Sequence, residues 1–396
     1  MEPALTTQHF HTIFDFIREL YATKEGFIPL HEPRFEGNEK SYLNACIESG
    51  FVSSVGEFVN RFERDIATFC GSKHAIAATN GTAALHIALH ALGVDSHCEV
   101  ITQALSFIAT SNAIAYTGAQ PVYVDVDMDS LSLSPKALRH FLESHATRQD
   151  NQLINKHSGK ILKACVPMHT FGHPARIEEI ASICEQWGLA LIEDSAESLG
   201  SYVLGEDSKL HTGNFGICGI LSFNGNKTMT CGGGGIILTN DKPLALRLKH
   251  LTTTAKIPHP YEYKHDMLGY NYRLPNLNAA LALAQLEQLP HFLESKRAIA
   301  RAYAEFFSAH CKEIEFIGAR EGTEPNFWLN AIALPSKALR DEFLEASNAS
   351  GIMTRPIWQP SHLAPMYRHC QHDSLENTTA LCERIVNLPS SARSGR

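Results

Sequence analysis

The sequence is short of several things at once. No run approaches the roughly 18 apolar residues of a membrane-spanning helix, and no basic segment at the N-terminus leads into an apolar core and cleavage site. A cytoplasmic protein without a membrane partner is expected. Positive charge is in deficit, with 34 Lys and Arg against 42 Asp and Glu, a net charge of -8. That balance leaves no electrostatic footprint for nucleic acid. The ten cysteines show no C-x-x-C or zinc-ligand spacing, so they are read as buried reduced thiols, and no metal is expected. There is no internal repeat and no low-complexity linker. A G-x-x-x-x-G-K-[ST] phosphate loop is missing, as is a G-x-G-x-x-G after the first strand, which excludes a nucleotide hydrolase and a Rossmann dehydrogenase.

What is present is an ordinary globular composition, 44% hydrophobic and 19% charged over 396 residues. That length predicts one large domain with a smaller one. Phe10, Ile13, Phe14, Ile17 and Leu20 lie at helical spacing, a packing or partner helix within an N-terminal extension at 1–26. From His74 the chain alternates. Strands are predicted at 74–79, 100–101, 121–126, 161–168 and 189–192, with helices opening at Gly81, Ser106, Pro135 and Arg176 between them. Such alternation implies an α/β fold, a mostly parallel sheet covered on both faces, with ligands collecting at the strand C-termini. This large domain is placed at 27–274. A long helix then runs from 274 to about 310, followed by short strands at 313–317 and 329–334 and helices at 337–346 and 375–386. These form a smaller α+β domain at 275–396.

The stretch Ser-Phe-Asn-Gly-Asn-Lys-Thr-Met-Thr-Cys-Gly-Gly-Gly-Gly at 222–235 isolates Lys227 between two apolar strands. A loop lysine is usually a solvated charge. One flanked by apolar strands is desolvated instead, which lowers an amine's pKa and suits it to Schiff-base chemistry. Three other features fall at the same sheet edge. Asn80-Gly81-Thr82 turns a strand into a helix N-terminus with a hydroxyl, an anion site if it is more than an ordinary cap. Asp194 follows the strand at 189–192, either as the next helix cap or as partner to a heterocyclic cation. Phe107 follows another strand, where it packs in the core or stacks on a flat ring. Together with Ser222 before the lysine, these answer four needs of pyridoxal phosphate (PLP): phosphate, ring face, ring nitrogen and aldehyde.

The ordered motifs Asn80-Gly-Thr-Ala-Ala-Leu85, Ser106-Phe-Ile-Ala-Thr110, Glu193-Asp-Ser-Ala-Glu197, Ser222-Phe-Asn-Gly-Asn-Lys227 and Gly269-Tyr-Asn-Tyr-Arg-Leu274 resemble those of the sugar-nucleotide aminotransferases. These belong to the aspartate aminotransferase superfamily of fold type I PLP enzymes, and the resemblance covers 27–393. It implies a seven-stranded, mostly parallel sheet between helices, with Lys227 as the Schiff-base lysine and Asp194 on the pyridine nitrogen. It also implies Gly81, Thr82 and Ser222 on the phosphate and Phe107 on the ring face. Asn271 would reach the phosphate held by a neighbouring subunit, which implies a homodimer with shared sites. Glu197 stands near the ring hydroxyl, where relatives often carry glutamine or histidine; it is either protonated or bonded differently. The wording of Phe51-Val-Ser-Ser-Val-Gly-Glu57, His250-Leu-Thr-Thr-Thr-Ala-Lys256 and Arg355-Pro-Ile-Trp358 is similar to the legionaminic acid and bacillosamine subgroup. That implies L-glutamate as donor and a UDP-2-acetamido-4-keto-2,6-dideoxyhexose as acceptor, with GDP- or dTDP-linked 4-keto-6-deoxy sugars as alternatives. Arg355, Trp358 and the loop after residue 250 are further candidates for substrate contact. A sugar dehydratase of the same family would carry histidine in place of Lys227, and a non-catalytic PLP-binding regulator has no extra domain to support it.

Overall fold

The structure, a computed structural model, describes residues 7–393. Residues 1–6 of the expected N-terminal extension and 394–396 of the expected C-terminal domain lie outside the described residues.

The strands of the main sheet are β1 (His74–Ala78), β2 (Cys98–Gln103), β3 (Gln120–Val124), β4 (Ile161–Val166), β5 (Ala190–Asp194), β6 (Cys218–Ser222) and β7 (Gly235–Thr239). They lie in the order β1-β7-β6-β5-β4-β2-β3. Only β7 runs against its neighbours, pairing antiparallel with both β1 and β6; the remaining pairs are parallel. A hairpin at Ala146–Gln149 and Gln152–Asn155, absent from the sequence expectation, attaches to the start of β4 through Ile154 and Ile161.

Successive strand residues point to opposite faces, and here both faces are apolar. Ile237 packs with Ile76, Val100, Ile192 and Ile220 against α4 (Gly81–Ala91), α5 (Ala109–Tyr116) and α8 (Lys242–Thr252). Its neighbours Ile236 and Leu238 face α3 (Glu57–Cys70) and the first half of α9 (Asn276–His310). At the other end Ile101, Val122 and Cys165 pack on α6 (Pro135–His145) and α7 (Ile177–Trp187). Burial on both sides is why these strands read as continuous apolar runs, each large side chain contributing about 1.5–3 kcal/mol.

Helix α9 joins two cores. Its Ala282, Leu286 and Leu289 belong to the main sheet. Ile299, Tyr303 and Phe307 pack instead with Phe10, Ile13, Phe14 and Ile17 of α1 (Thr7–Leu20) and with Phe343 of α10 (Lys337–Ala349). A small antiparallel sheet completes that second core, from β8 (Glu315–Phe316), β9 (Asn330–Ala333), β10 (Arg355–Pro356) and β11 (Ile385–Leu388), in the order β8-β9-β11-β10. The helix expected to reach residue 386 is α11 (Glu376–Arg384), and it stops two residues earlier. Ile385 and Val386 are fully buried in the central strand of that sheet, where β-branched side chains fit the pleat. All ten cysteines are free, and all but the half-buried Cys382 are buried. Among the described residues no helix is long and apolar enough to cross a membrane.

Candidate active site

The C-terminal ends of the parallel strands open onto a cavity of about 340 Å³, a size typical of small-ligand sites. Beyond β1, the Asn80 side chain accepts a hydrogen bond from the Ala83 N–H at 2.8 Å and caps α4. The first-turn N–H groups of Gly81 and Thr82, which also line the cavity, have no acceptor within the helix. Gly235 is what lets this helix start lie against β6. In the strand register Gly235 stands between Ala78 and Ser222. A Cβ added to Gly235 would sit 2.5 Å from the Asn80 carbonyl oxygen and 2.8 Å from the Gly81 nitrogen. One added to Gly81 would sit 2.9 Å from the Ser222 Cβ. Two bare glycines thus bring helix amides and the Ser222 hydroxyl together at the positive end of a helix dipole, where negative charge is favoured.

Asp194 ends β5 and is buried to 7% exposure. Its Oδ2 accepts from the Thr110 hydroxyl at 2.7 Å and its Oδ1 from the Ala196 N–H at 3.2 Å, so the carboxylate is aimed from both sides. The helix expected from Ser106 begins only at Ala109, which leaves Phe107 on the connection. There its ring is half exposed and meets the edge of Trp358 at 6.4 Å.

Lys227 sits on the turn after β6, where its N–H donates to the Asn224 carbonyl at 3.0 Å. Its Nζ lies 3.2 Å from Oε1 of Glu197 and 4.0 Å from the centroid of the Trp328 ring. The other Glu197 oxygen accepts from the Phe171 N–H at 2.9 Å, a residue held at a left-handed φ of 56°. Burial pushes the Glu197 carboxyl up to about 7, against the opposing pull of Lys227 and the Phe171 N–H. Beneath β5, Glu193 accepts from His169 Nε2 and from the N–H groups of Gly213, Phe215 and Gly216, which fixes the strand end that carries Asp194.

Gly81, Thr82, Phe107, Asp194, Glu197, Ser222 and Lys227 therefore line one cavity. Asn271 does not: it is exposed on a segment bridged to Thr253. Arg355 also stands apart, donating to Asn348 Oδ1 and the Thr354 carbonyl. Sequence reasoning missed Thr110, Met168 and Trp328 as cavity residues. Thr110 lay inside a recognised motif and could have been found as a hydroxyl near a strand end. Nothing local marked Trp328, which arrives from just before β9. One histidine pair with metal-binding spacing, His86 and His90 on α4, packs on the Tyr270 ring, and no group of three or more potential ligands occurs among the described residues.

A model of the DegT/DnrJ/EryC1/StrS aminotransferase family matches residues 33–394. The chain belongs to this family. Among its relatives, the GDP-perosamine synthase of Vibrio cholerae is 35% identical over 369 residues, covering 92% of this chain and 94% of that one. The GDP-perosamine synthase of Escherichia coli O157:H7 is 36% identical over 366 residues, covering 92% and 93%. A solved DegT/DnrJ/EryC1/StrS aminotransferase from Brucella abortus has a TM-score of 0.79 at 28% identity, covering 89% of this chain and 90% of that one. DegT/DnrJ/EryC1/StrS enzymes are sugar aminotransferases of fold type I that depend on PLP, and the sheet described above is theirs.

Proposed function

We propose that this enzyme moves the amino group of L-glutamate to the C4 ketone of a GDP-linked 4-keto-6-deoxy sugar. The observation that carries the reading is the meeting of Lys227 with Asp194 and the Gly81–Ser222 anion site in one cavity. The relatives named above, both GDP-perosamine synthases, favour GDP over the UDP-linked acetamido sugar expected from the wording of three segments.

The cavity fits the cofactor by its donor set. The α4 N-terminus and Ser222 would hold the phosphate, Asp194 would keep the ring nitrogen protonated, Phe107 would cover a ring face and Glu197 would stand by the ring hydroxyl. When bound, PLP supplies an aldehyde to carry the amino group and a ring to accept the electron pair of the broken C–H bond. Lys227 Nζ is the proton carrier: it takes a proton at one carbon and returns it at another. Glu197 keeps that amine turned into the cavity, and Thr110 keeps Asp194 turned toward the ring nitrogen.

A second copy of the chain would complete the site. Asn271 is exposed, and so are Phe51, Val55, Tyr261, Tyr263 and Leu268, apolar surface that a homodimer would cover. The test is a panel of GDP-, UDP- and dTDP-linked 4-keto sugars with glutamate, scored for amino sugar. Product from the GDP-linked member at the highest kcat/KM supports the reading; preference for a UDP-linked acetamido sugar overturns the nucleotide assignment. Turnover retained by Lys227→Ala overturns the lysine.

A further inference from the structure

Trp328 is buried to 4% exposure, and the face of its indole carries the Lys227 amine at 4.0 Å. Its Nε1 donates to the carbonyl of Asn226, the residue before the lysine, at 2.6 Å. The ring therefore cannot turn without breaking a bond to the loop that carries the lysine. The turn presenting it is over-determined. Asn326 donates to the carbonyls of Glu197 and Leu199 and to the Thr228 hydroxyl, and its Oδ1 accepts from the Trp328 N–H. Phe327 is held at a left-handed φ of 49°, a conformation that persists only when its surroundings impose it. Lys296, 1% exposed on α9, supplies that constraint: its Nζ donates to the carbonyls of Phe327 at 3.4 Å, Trp328 at 3.1 Å and Ser390 at 2.6 Å.

We propose that Trp328 is a catalytic residue whose indole face holds the protonated Lys227 amine during proton transfer, and that Lys296 is the positioning residue that keeps the ring there. The role rests on Lys227 being the proton carrier. In that step the C–H bond of the donor's α-carbon breaks, its electron pair stays with the conjugated carbon framework, and the proton forms a new N–H bond on Nζ. The new charge appears on a side chain that is only 13% exposed. An aromatic face attracts a cation without competing for its proton, whereas Glu197 can take the proton back. The other titratable groups near the amine are Glu197 at 3.2 Å, Asp194 across the cavity, and the buried His31, whose pKa is lowered by burial and by the charges of Lys296 and Lys227.

The test uses the cofactor-loaded enzyme and its Trp328→Leu, Trp328→Phe and Lys296→Met variants. Two quantities are read: the pH midpoint of the visible absorbance, and the single-turnover rate with α-deuterated and ordinary glutamate. Trp328→Leu is expected to lower the midpoint by about 0.4–1.5 units and slow the turnover roughly 3- to 30-fold, with a larger isotope effect and glutamate Kd within about twofold. Trp328→Phe should fall between Leu and wild type, and Lys296→Met should shift the same way by less. If Trp328→Leu does not fold, the other two variants carry the test. Wild-type midpoints and rates in the variants overturn the role of the indole alone. An absorbance band that Lys227→Ala leaves unchanged overturns the lysine assignment itself, and the two failures are thereby distinguished.

Discussion

Oε1 of Glu197 lies 3.2 Å from Nζ of Lys227, although thirty residues of chain separate them. The carboxyl is 2% exposed, and its pKa stands at about 7 because burial outweighs the neighbouring cation. A carboxyl whose folded pKa is raised binds its proton more tightly in the folded state, so its contribution is most favourable below the unfolded pKa and is lost as pH climbs to about 7. Wild-type stability should therefore fall relative to Glu197→Gln between about pH 4.5 and 7, by on the order of 2–3 kcal/mol. Urea unfolding of the cofactor-depleted proteins at four pH values across that window measures the difference. Parallel curves would show that Glu197 does not carry a raised pKa.

Thr110→Val keeps the shape of the side chain and removes the hydroxyl that donates to Asp194 Oδ2. An aspartate held from one side only should cost roughly 1 kcal/mol of transition-state stabilisation, about fivefold in kcat, with little change in KM. Steady-state kinetics with both substrates varied will separate the two constants.

Gly235→Ala would drive a methyl group against the Asn80 carbonyl and the Gly81 nitrogen. Backbone cannot swing aside as a long side chain can, so the α4 N-terminus must move away from Ser222. The expected result is a protein about 1–3 kcal/mol less stable, with PLP bound at least tenfold more weakly, read by thermal unfolding and by cofactor titration.

Lys296→Met isolates the cost of a buried amine. Burial among carbonyls, with no carboxylate in contact, lowers the Lys296 pKa to about 7. The folded state then holds fewer protons than the unfolded chain above that value, so the penalty is full below pH 7 and is relieved as pH rises toward about 10.4. Wild type should gain stability relative to the methionine variant from pH 7 to 9.5. Chemical unfolding at those two pH values suffices, and a constant difference would contradict the lowered pKa.

The alternation of strands and helices, and the gathering of Lys227, Asp194, Ser222 and the Gly81–Thr82 helix start at one sheet edge, were legible along the chain. Each depends on a strand C-terminus, and a strand end with its following turn is a local pattern of apolar run, glycine and polar residue. Ile385 and Val386 escaped because a short strand following directly on a helix continues its apolar spacing, and only pairing with β9 and β10 settles the matter. Of the cavity wall opposite the sheet, only Trp358 was legible, from the wording of Arg355-Pro-Ile-Trp358. Trp328, Lys296 and the pairing of Glu197 with Lys227 come from segments up to 131 positions apart, brought together by packing of α9 and the small sheet. The residues that can do the chemistry were thus written locally. Which oxygen faces the amine, which ring covers it, and whether a carboxyl buried there keeps its proton were settled by long-range packing, because desolvation and distance do not exist until the chain has folded.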